Sequence, residues 1–174
     1  MAIKNLVLAT LLAAVSMATT AAQATEFITN GNFSQGLTGW TQTSNASFVD
    51  NTGYREGNVG GEGYLQQIIT GDFAPSVLQF DFSGANGRGY QRVVFNGVDI
   101  SGMLSPLSLT HYTYNVVGTG SDTLGFFGRN DPSFNTLTNV SLIGENTAVP
   151  EPASIALLGL GLLGFAASRR RSAK

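Results

Sequence analysis

Three sets of residues in this chain have the types and spacing to do chemistry. The first is linear: Val149-Pro150-Glu151-Pro152, an apolar run from Ala153 to Ala167, then Arg169, Arg170, Arg171 and Lys174. The two prolines hold the backbone extended around one carboxylate and keep a helix from starting upstream. The apolar run and its basic end make a sorting signal, with the arginines on the cytoplasmic side of a membrane. The second set suits sugar recognition, in which an aromatic face stacks on C–H groups and planar polar groups bond the hydroxyls. Tyr54, Tyr64 and Tyr90 supply rings; Arg55, Arg92, Arg129, Gln66, Gln79 and Asp81 supply polar groups. Tyr54, Tyr90, Arg92 and Arg129 are the preferred ligand-binding residues. The third set is catalytic, and it is poor. His111 is the only histidine and there is no cysteine. No G-x-S-x-G elbow offers a nucleophile. Asp81, Asp99, Asp122 and Asp131 could pair for glycoside hydrolysis, but none lies in a recognisable context. Gly84-Ala85-Asn86-Gly87-Arg88-Gly89 follows a strand without opening a helix, so it reads as a flexible loop rather than a phosphate cradle. No enzyme is expected.

The other end of the chain fits the tail. Lys4 is a positive n-region, Leu6 to Val15 an apolar core, and Ala22-Gln23-Ala24 a small-x-small cleavage site. That order is a secretory signal peptide, cleaved after Ala24 by signal peptidase. The expected organisation is a signal peptide over 1–24, an ectodomain over 25–148 and a sorting signal over 149–174. About 125 residues remain between the signals, enough for one domain with its own core.

Charge narrows the partners. Five of the nine basic residues lie in the two signals. The ectodomain keeps Arg55, Arg88, Arg92 and Arg129 against ten acidic residues, a balance of −6. A negative surface without a basic stripe argues against nucleic acid and against anionic lipid. It also favours neutral over acidic polysaccharide. Without cysteine there is neither a disulfide framework nor a thiolate metal site, and no cofactor is called for.

These residues must be positioned by β-structure. No stretch between the signals sustains a 3.6-residue period. Short alternating runs separated by turn residues predict an all-β sandwich or barrel. Leu78, Phe80 and Phe82 alternate with Gln79 and Asp81. Tyr64–Ile69 precedes them across a Gly71-Asp72 turn, and Asn96-Gly97 marks a hairpin between Gln91–Phe95 and Val98–Ile100. Tyr112–Val117, Thr123–Phe127 and Leu137–Ile143 complete the runs, and Gly144–Ala148 reads as a polar linker. Core positions from alternation are Leu78, Phe80, Phe82, Val93, Phe95, Leu124, Phe126, Val140 and Leu142, with Trp40 packed inside.

Two resemblances follow from these motifs. The tail resembles the C-terminal signal of PEP-CTERM proteins, also catalogued as an ice-binding-protein C-terminal domain. The resemblance implies processing by an exosortase-type membrane protease at Val149-Pro150-Glu151-Pro152. No ladder of Thr-x-Thr pairs suggests an ice-binding face. The ectodomain opens with Asn30-Gly31-Asn32-Phe33 and Gly39-Trp40. It closes with Asp122-Thr123-Leu124-Gly125-Phe126 and Leu137-Thr138-Asn139-Val140-Ser141-Leu142. It is similar to galactose-binding-like jelly rolls, the fold of many carbohydrate-binding modules. That resemblance implies a structural calcium near the first and last strands. The corresponding ligand positions here are Ser34, Thr138 and Asn139, so the expected carboxylates are missing for a hard cation.

The expectation is an all-β jelly-roll ectodomain flanked by a signal-peptide helix and a C-terminal transmembrane-type helix. The chain is exported and held at the inner membrane while unprocessed. It then passes to the cell surface or extracellular matrix, where the ectodomain binds polysaccharide. The alternatives are a membrane-anchored structural protein without a sugar ligand and a small polysaccharide-active enzyme.

Overall fold

The computed structural model describes residues 24–44, 46–85 and 88–145. They fall within one unit, Gln23–Thr147. Residues 1–23 of the expected signal peptide, with Ala22, the Pro-Glu-Pro motif and the expected C-terminal helix lie outside the described residues, whereas Ala24, the last residue of the expected signal peptide, is described and stands in the first strand. Among the described residues no helix is long and apolar enough to cross a membrane.

Eleven strands follow in chain order among the described residues: β1 (Ala24–Glu26), β2 (Thr41–Gln42), β3 (Ser47–Asp50), β4 (Gly53–Glu56), β5 (Gly63–Gly71), β6 (Ser76–Ser83), β7 (Tyr90–Phe95), β8 (Val98–Asp99), β9 (Thr110–Val116), β10 (Gly120–Arg129) and β11 (Asn135–Glu145). One sheet runs β3-β4-β11-β6-β9, with β1 also on β11, and the other runs β2-β5-β10-β7-β8. Every pairing is antiparallel. The result is an all-β, jelly-roll-like sandwich.

The alternation that predicts the strands also builds the core, because successive side chains leave opposite faces. Leu78, Phe80, Phe82, Val93, Phe95, Leu124, Phe126, Val140, Leu142 and Trp40 are all buried between the sheets. Phe80 is at the centre. Tyr112 and Tyr114 stack on it at 5.5 and 6.0 Å, and Phe126 meets it edge-on at 5.2 Å. Trp40 packs on Phe33 and Phe126 and donates its indole N–H to the Asn30 carbonyl at 3.2 Å.

Turn chemistry sets the connections. Asn96 and Gly97 have φ of 50° and 80°, the pair of positive values that a two-residue type I′ hairpin requires. A register shift between Thr138 and Ser141 puts a bulge in β11, with Asn139 at φ 54°. The bulge turns two successive side chains outward and reverses the parity, so Leu137, Val140 and Leu142 all reach the core.

Two expectations are corrected. Gly144 and Glu145 are not linker; they belong to β11 and pair with Thr25 and Ala24 of β1. The glycine-rich segment after β6 is not loose at its ends. Gly84 donates to the Pro106 carbonyl at 2.8 Å, and its own carbonyl accepts from Asn130. A side chain at Gly89 would collide with the Asn130 and Asn135 amides.

Candidate functional site

The outward face of the β2-β5-β10-β7-β8 sheet gathers most of the sugar-suited residues. Tyr64, Gln66 and Ile68 alternate outward on β5. Thr123, Gly125, Phe127 and Arg129 do so on β10, and Tyr90 and Arg92 on β7. Antiparallel register then sets the rows: Phe127 lies between Tyr64 and Arg92, Gly125 beside Gln66, Thr123 beside Ile68, and Arg129 beside Tyr90.

The Tyr64 and Phe127 rings sit 5.7 Å apart, tilted by 46°. The Arg92 guanidinium lies 4.8 Å above the Phe127 ring and is locked by two hydrogen bonds to Glu62, at 3.1 and 2.9 Å. Those bonds hold the Glu62 carboxyl below its ordinary range and the Arg92 guanidinium above its own. Burial, reinforced by the nearby Glu62 charge, raises the Tyr90 phenol, so it stays a neutral hydroxyl. Arg129 reaches Asp131 only loosely, at 3.7 Å. Beside the aromatic pair, Gly39, Thr41, Gln66, Ile68 and Thr123 line a shallow depression of about 410 Å³. Ile68 is 69% exposed there. Gly125 makes room for the Phe127 ring, which lies over it: a Cβ there would fall 2.7 Å from the ring. One exposed isoleucine, ring faces, a planar amide and two hydroxyls are groups that can hold a sugar by stacking and hydroxyl bonding.

Of the four preferred ligand residues, Tyr90, Arg92 and Arg129 come together on this face. Tyr54 does not, and is corrected: it is fully buried against Phe33, at 5.9 Å between centroids. It points into the core from β4 and donates its hydroxyl to Gln42 at 2.9 Å. Burial pushes its phenol up to about 12. Gln79 and Asp81 sit on the outward face of the other sheet. Phe127, Ile68 and Glu62 are added. Phe127 was legible as the aromatic on the opposite parity from the core residues Leu124 and Phe126.

The opposite sheet carries the only described histidine, bonded to a carboxylate. His111 Nδ1 lies 2.7 Å from Asp81 Oδ1, and the second Asp81 oxygen accepts from the Asn139 amide at 2.7 Å. No hydroxyl bonds to this histidine among the described residues. The other carboxylates have local tasks. Asp99 accepts from the Ser101 and Gly102 amides, Asp122 closes the turn before β10 by accepting from Thr119, and Asp131 meets Arg129.

The residues at the expected calcium position do not fit the ion. Glu26 is the carboxylate beside the closing strand. It accepts from the backbone of Ile28 and Leu142, each at 2.8 Å, and from the Ser141 hydroxyl. Ser34 is held by the Asn32 side chain in an exposed turn, and Asn139 bonds Asp81. No group of three His, Cys, Asp or Glu that could hold a metal occurs among the described residues.

Residues 148–171 match the PEP-CTERM protein-sorting motif, the mark of an exported chain processed at its C-terminus. No curated protein matches the chain. Among solved structures, the chain is similar to TmCBM61, determined in complex with β-1,4-galactotriose. Identity is 12% over 70% of this chain and 99% of that one, with a TM-score of 0.58. A family 35 carbohydrate-binding module from Clostridium thermocellum overlaps more loosely. It is 10% identical over 70% of this chain and 96% of that chain, with a TM-score of 0.44. The tailspike protein 4 enzymatically active domain of bacteriophage CBA120 reaches 0.47, at 12% identity over 67% of this chain and 21% of that chain. The likeness to TmCBM61 shows the fold: the two chains share a β-sandwich architecture.

Proposed function

We propose that this chain is an exported surface or matrix protein whose sandwich binds a neutral polysaccharide through the outward face of the β2-β5-β10-β7-β8 sheet. The observation that carries this reading is the row of Tyr64, Phe127 and Arg92 beside the Gln66–Ile68–Thr123 depression. Stacking on Tyr64, with the half-buried Phe127 beside it, supplies the contact area. Gln66, Tyr90 and Arg129 supply hydroxyl partners. A shallow face buries little ligand, so affinity is expected in the micromolar to millimolar range. Titration calorimetry against neutral glucans, mannans and galactans tests it. Binding to one of them should weaken about tenfold in Tyr64→Ala, the loss of a stacking contact worth ~1.4 kcal/mol. A panel without a binder would leave a structural surface protein.

Sorting is the other half of the reading. The apolar run from Ala153 to Ala167 is shorter than the ~20 residues of a full span. Snorkelling arginines and local thinning accommodate such a segment. It holds the chain in the inner membrane until an exosortase-type protease cuts near Val149-Pro150-Glu151-Pro152. Replacing Pro150, Glu151 and Pro152 by alanine should leave the full-length form in the membrane fraction of an exosortase-containing host. Mature protein of unchanged mass from that variant would sink the assignment.

A further inference from the structure

A polar layer lies between the sheets at the end that carries Tyr90 and Arg129. Glu56 (1% exposed), Asn58 (2%), Gln91 (0%), Asn130 (0%) and Asn135 (1%) form it. Glu56 points inward from β4. Asn58 donates to its Oε1 at 2.9 Å and to the Gly128 carbonyl at 3.2 Å. Asn135 faces three acceptors with its two amide hydrogens: Glu56 Oε2 at 3.3 Å, the Tyr90 carbonyl at 3.0 Å and the Arg129 carbonyl at 3.4 Å. Asn130 donates to Asn135 Oδ1, while its own Oδ1 and both polar atoms of the Gln91 amide have no partner. Register puts Gln91 opposite Gly128, and a Cβ at Gly128 would fall 2.2 Å from Glu56 Oε2. The carboxyl head therefore rests on the strand pair that presents the candidate face.

Among the described residues this layer is rich in acceptors and holds no positive charge. The nearby arginines lie outside it: Arg55 bonds the Thr136 hydroxyl at 2.7 Å, Arg92 pairs with Glu62, Arg129 lies 3.7 Å from Asp131, and Arg88 is exposed. The remaining ionisable groups on β4, β7, β10 and β11 are two phenols, Tyr54 on β4 and Tyr90 on β7, and two acids toward the other ends of their strands, Asp122 on β10 and Glu145 on β11. Glu62, in the loop before β5, adds a like charge. A buried carboxylate without a cation is costly, and a proton removes the cost while adding a donor.

We propose that Glu56 is a proton-operated latch for this end of the sandwich. Protonated, it closes the β4–β5 loop through Asn58 and the ends of β7 and β10 through Asn135. On ionisation the proton passes to bulk water, the charge draws water into the layer, and the contacts to Gly128, Tyr90 and Arg129 are released. Burial first, then Glu62, pushes the carboxyl up to about 8, against the opposing Asn135 and Asn58 bonds. The latch stands whether or not the face binds sugar; only its effect on a ligand rests on that reading.

The test is carboxyl ¹³C and backbone ¹⁵N NMR of the full-length protein with labelled glutamate, titrated from acid through alkaline pH. Glu56 should titrate with a midpoint about 8. The amides of Asn58, Tyr90, Gly128, Arg129 and Asn135 should shift with the same midpoint. Glu56→Gln should abolish those shifts, and Glu62→Gln should lower the midpoint. Titration of Glu56 in the ordinary carboxylate range would overturn the latch, as would amides that stay fixed while it ionises. A midpoint that falls on adding calcium would give the layer to a cation instead. The wild-type titration decides the matter even if Glu56→Gln does not fold.

Discussion

Phe80→Ala is expected to lower the unfolding free energy of the sandwich by about 3–5 kcal/mol. Phe80 is fully buried and bridges the sheets. From β6 it meets Tyr112 and Tyr114 of β9 in its own sheet and Phe126 of β10 in the facing one. Deleting the ring removes three aromatic contacts and leaves a hole that flanking strands cannot fill without breaking ladder hydrogen bonds. Val77 on the same strand is 44% exposed, so Val77→Ala should cost well under ~1 kcal/mol. Urea unfolding of both variants at one pH gives the comparison. Equal midpoints for the two would mean that the inter-sheet core is not where stability resides.

That contrast shows how far local pattern carries. Leu78, Phe80 and Phe82 are readable because β6 keeps strict alternation through a strand of eight residues. Asn96-Gly97 is readable because its turn type demands those residues. The tail is readable because a linear sorting motif is recognised as sequence. Tyr54 is not readable. Its strand has four residues, Gly53–Glu56, too short to display a period, and its inward partner is the acid Glu56, which a binary pattern assigns to solvent. The β11 bulge is hidden as well, since it changes parity midway between Leu137 and Val140. The candidate face fails for another reason. Tyr64, Arg92 and Phe127 are each visible, but only long-range register brings them into one row, and β7 reaches β5 only through β10.

The same buried layer that alternation misses should dominate the pH dependence of stability. Glu56 binds its proton more tightly when folded, at about 8 against an ordinary 4.5. Its contribution is therefore complete below pH about 4.5 and is lost as pH rises through about 8. At ~1.4 kcal/mol per pKa unit, that loss is on the order of 5 kcal/mol across the range. Asp122 works in the opposite sense. Burial alone would raise its carboxyl, but bonds from Asn96 and Thr119 hold it below the ordinary 3.8. Its stabilisation is present above that value and disappears on acidification. Wild-type protein should therefore be most stable in mild acid and weaken toward alkaline pH. Glu56→Gln keeps the shape, carries no charge in either state and should flatten the alkaline limb. It should also gain stability over wild type, by up to about 3 kcal/mol at pH ~7. Unfolding free energies in urea at mildly acid, neutral and alkaline pH decide this. A wild-type curve that is flat on the alkaline side would show that Glu56 is ionised in the folded protein. A Glu56→Gln variant that is weaker at every pH would show that the carboxylate, not the acid, holds the layer together.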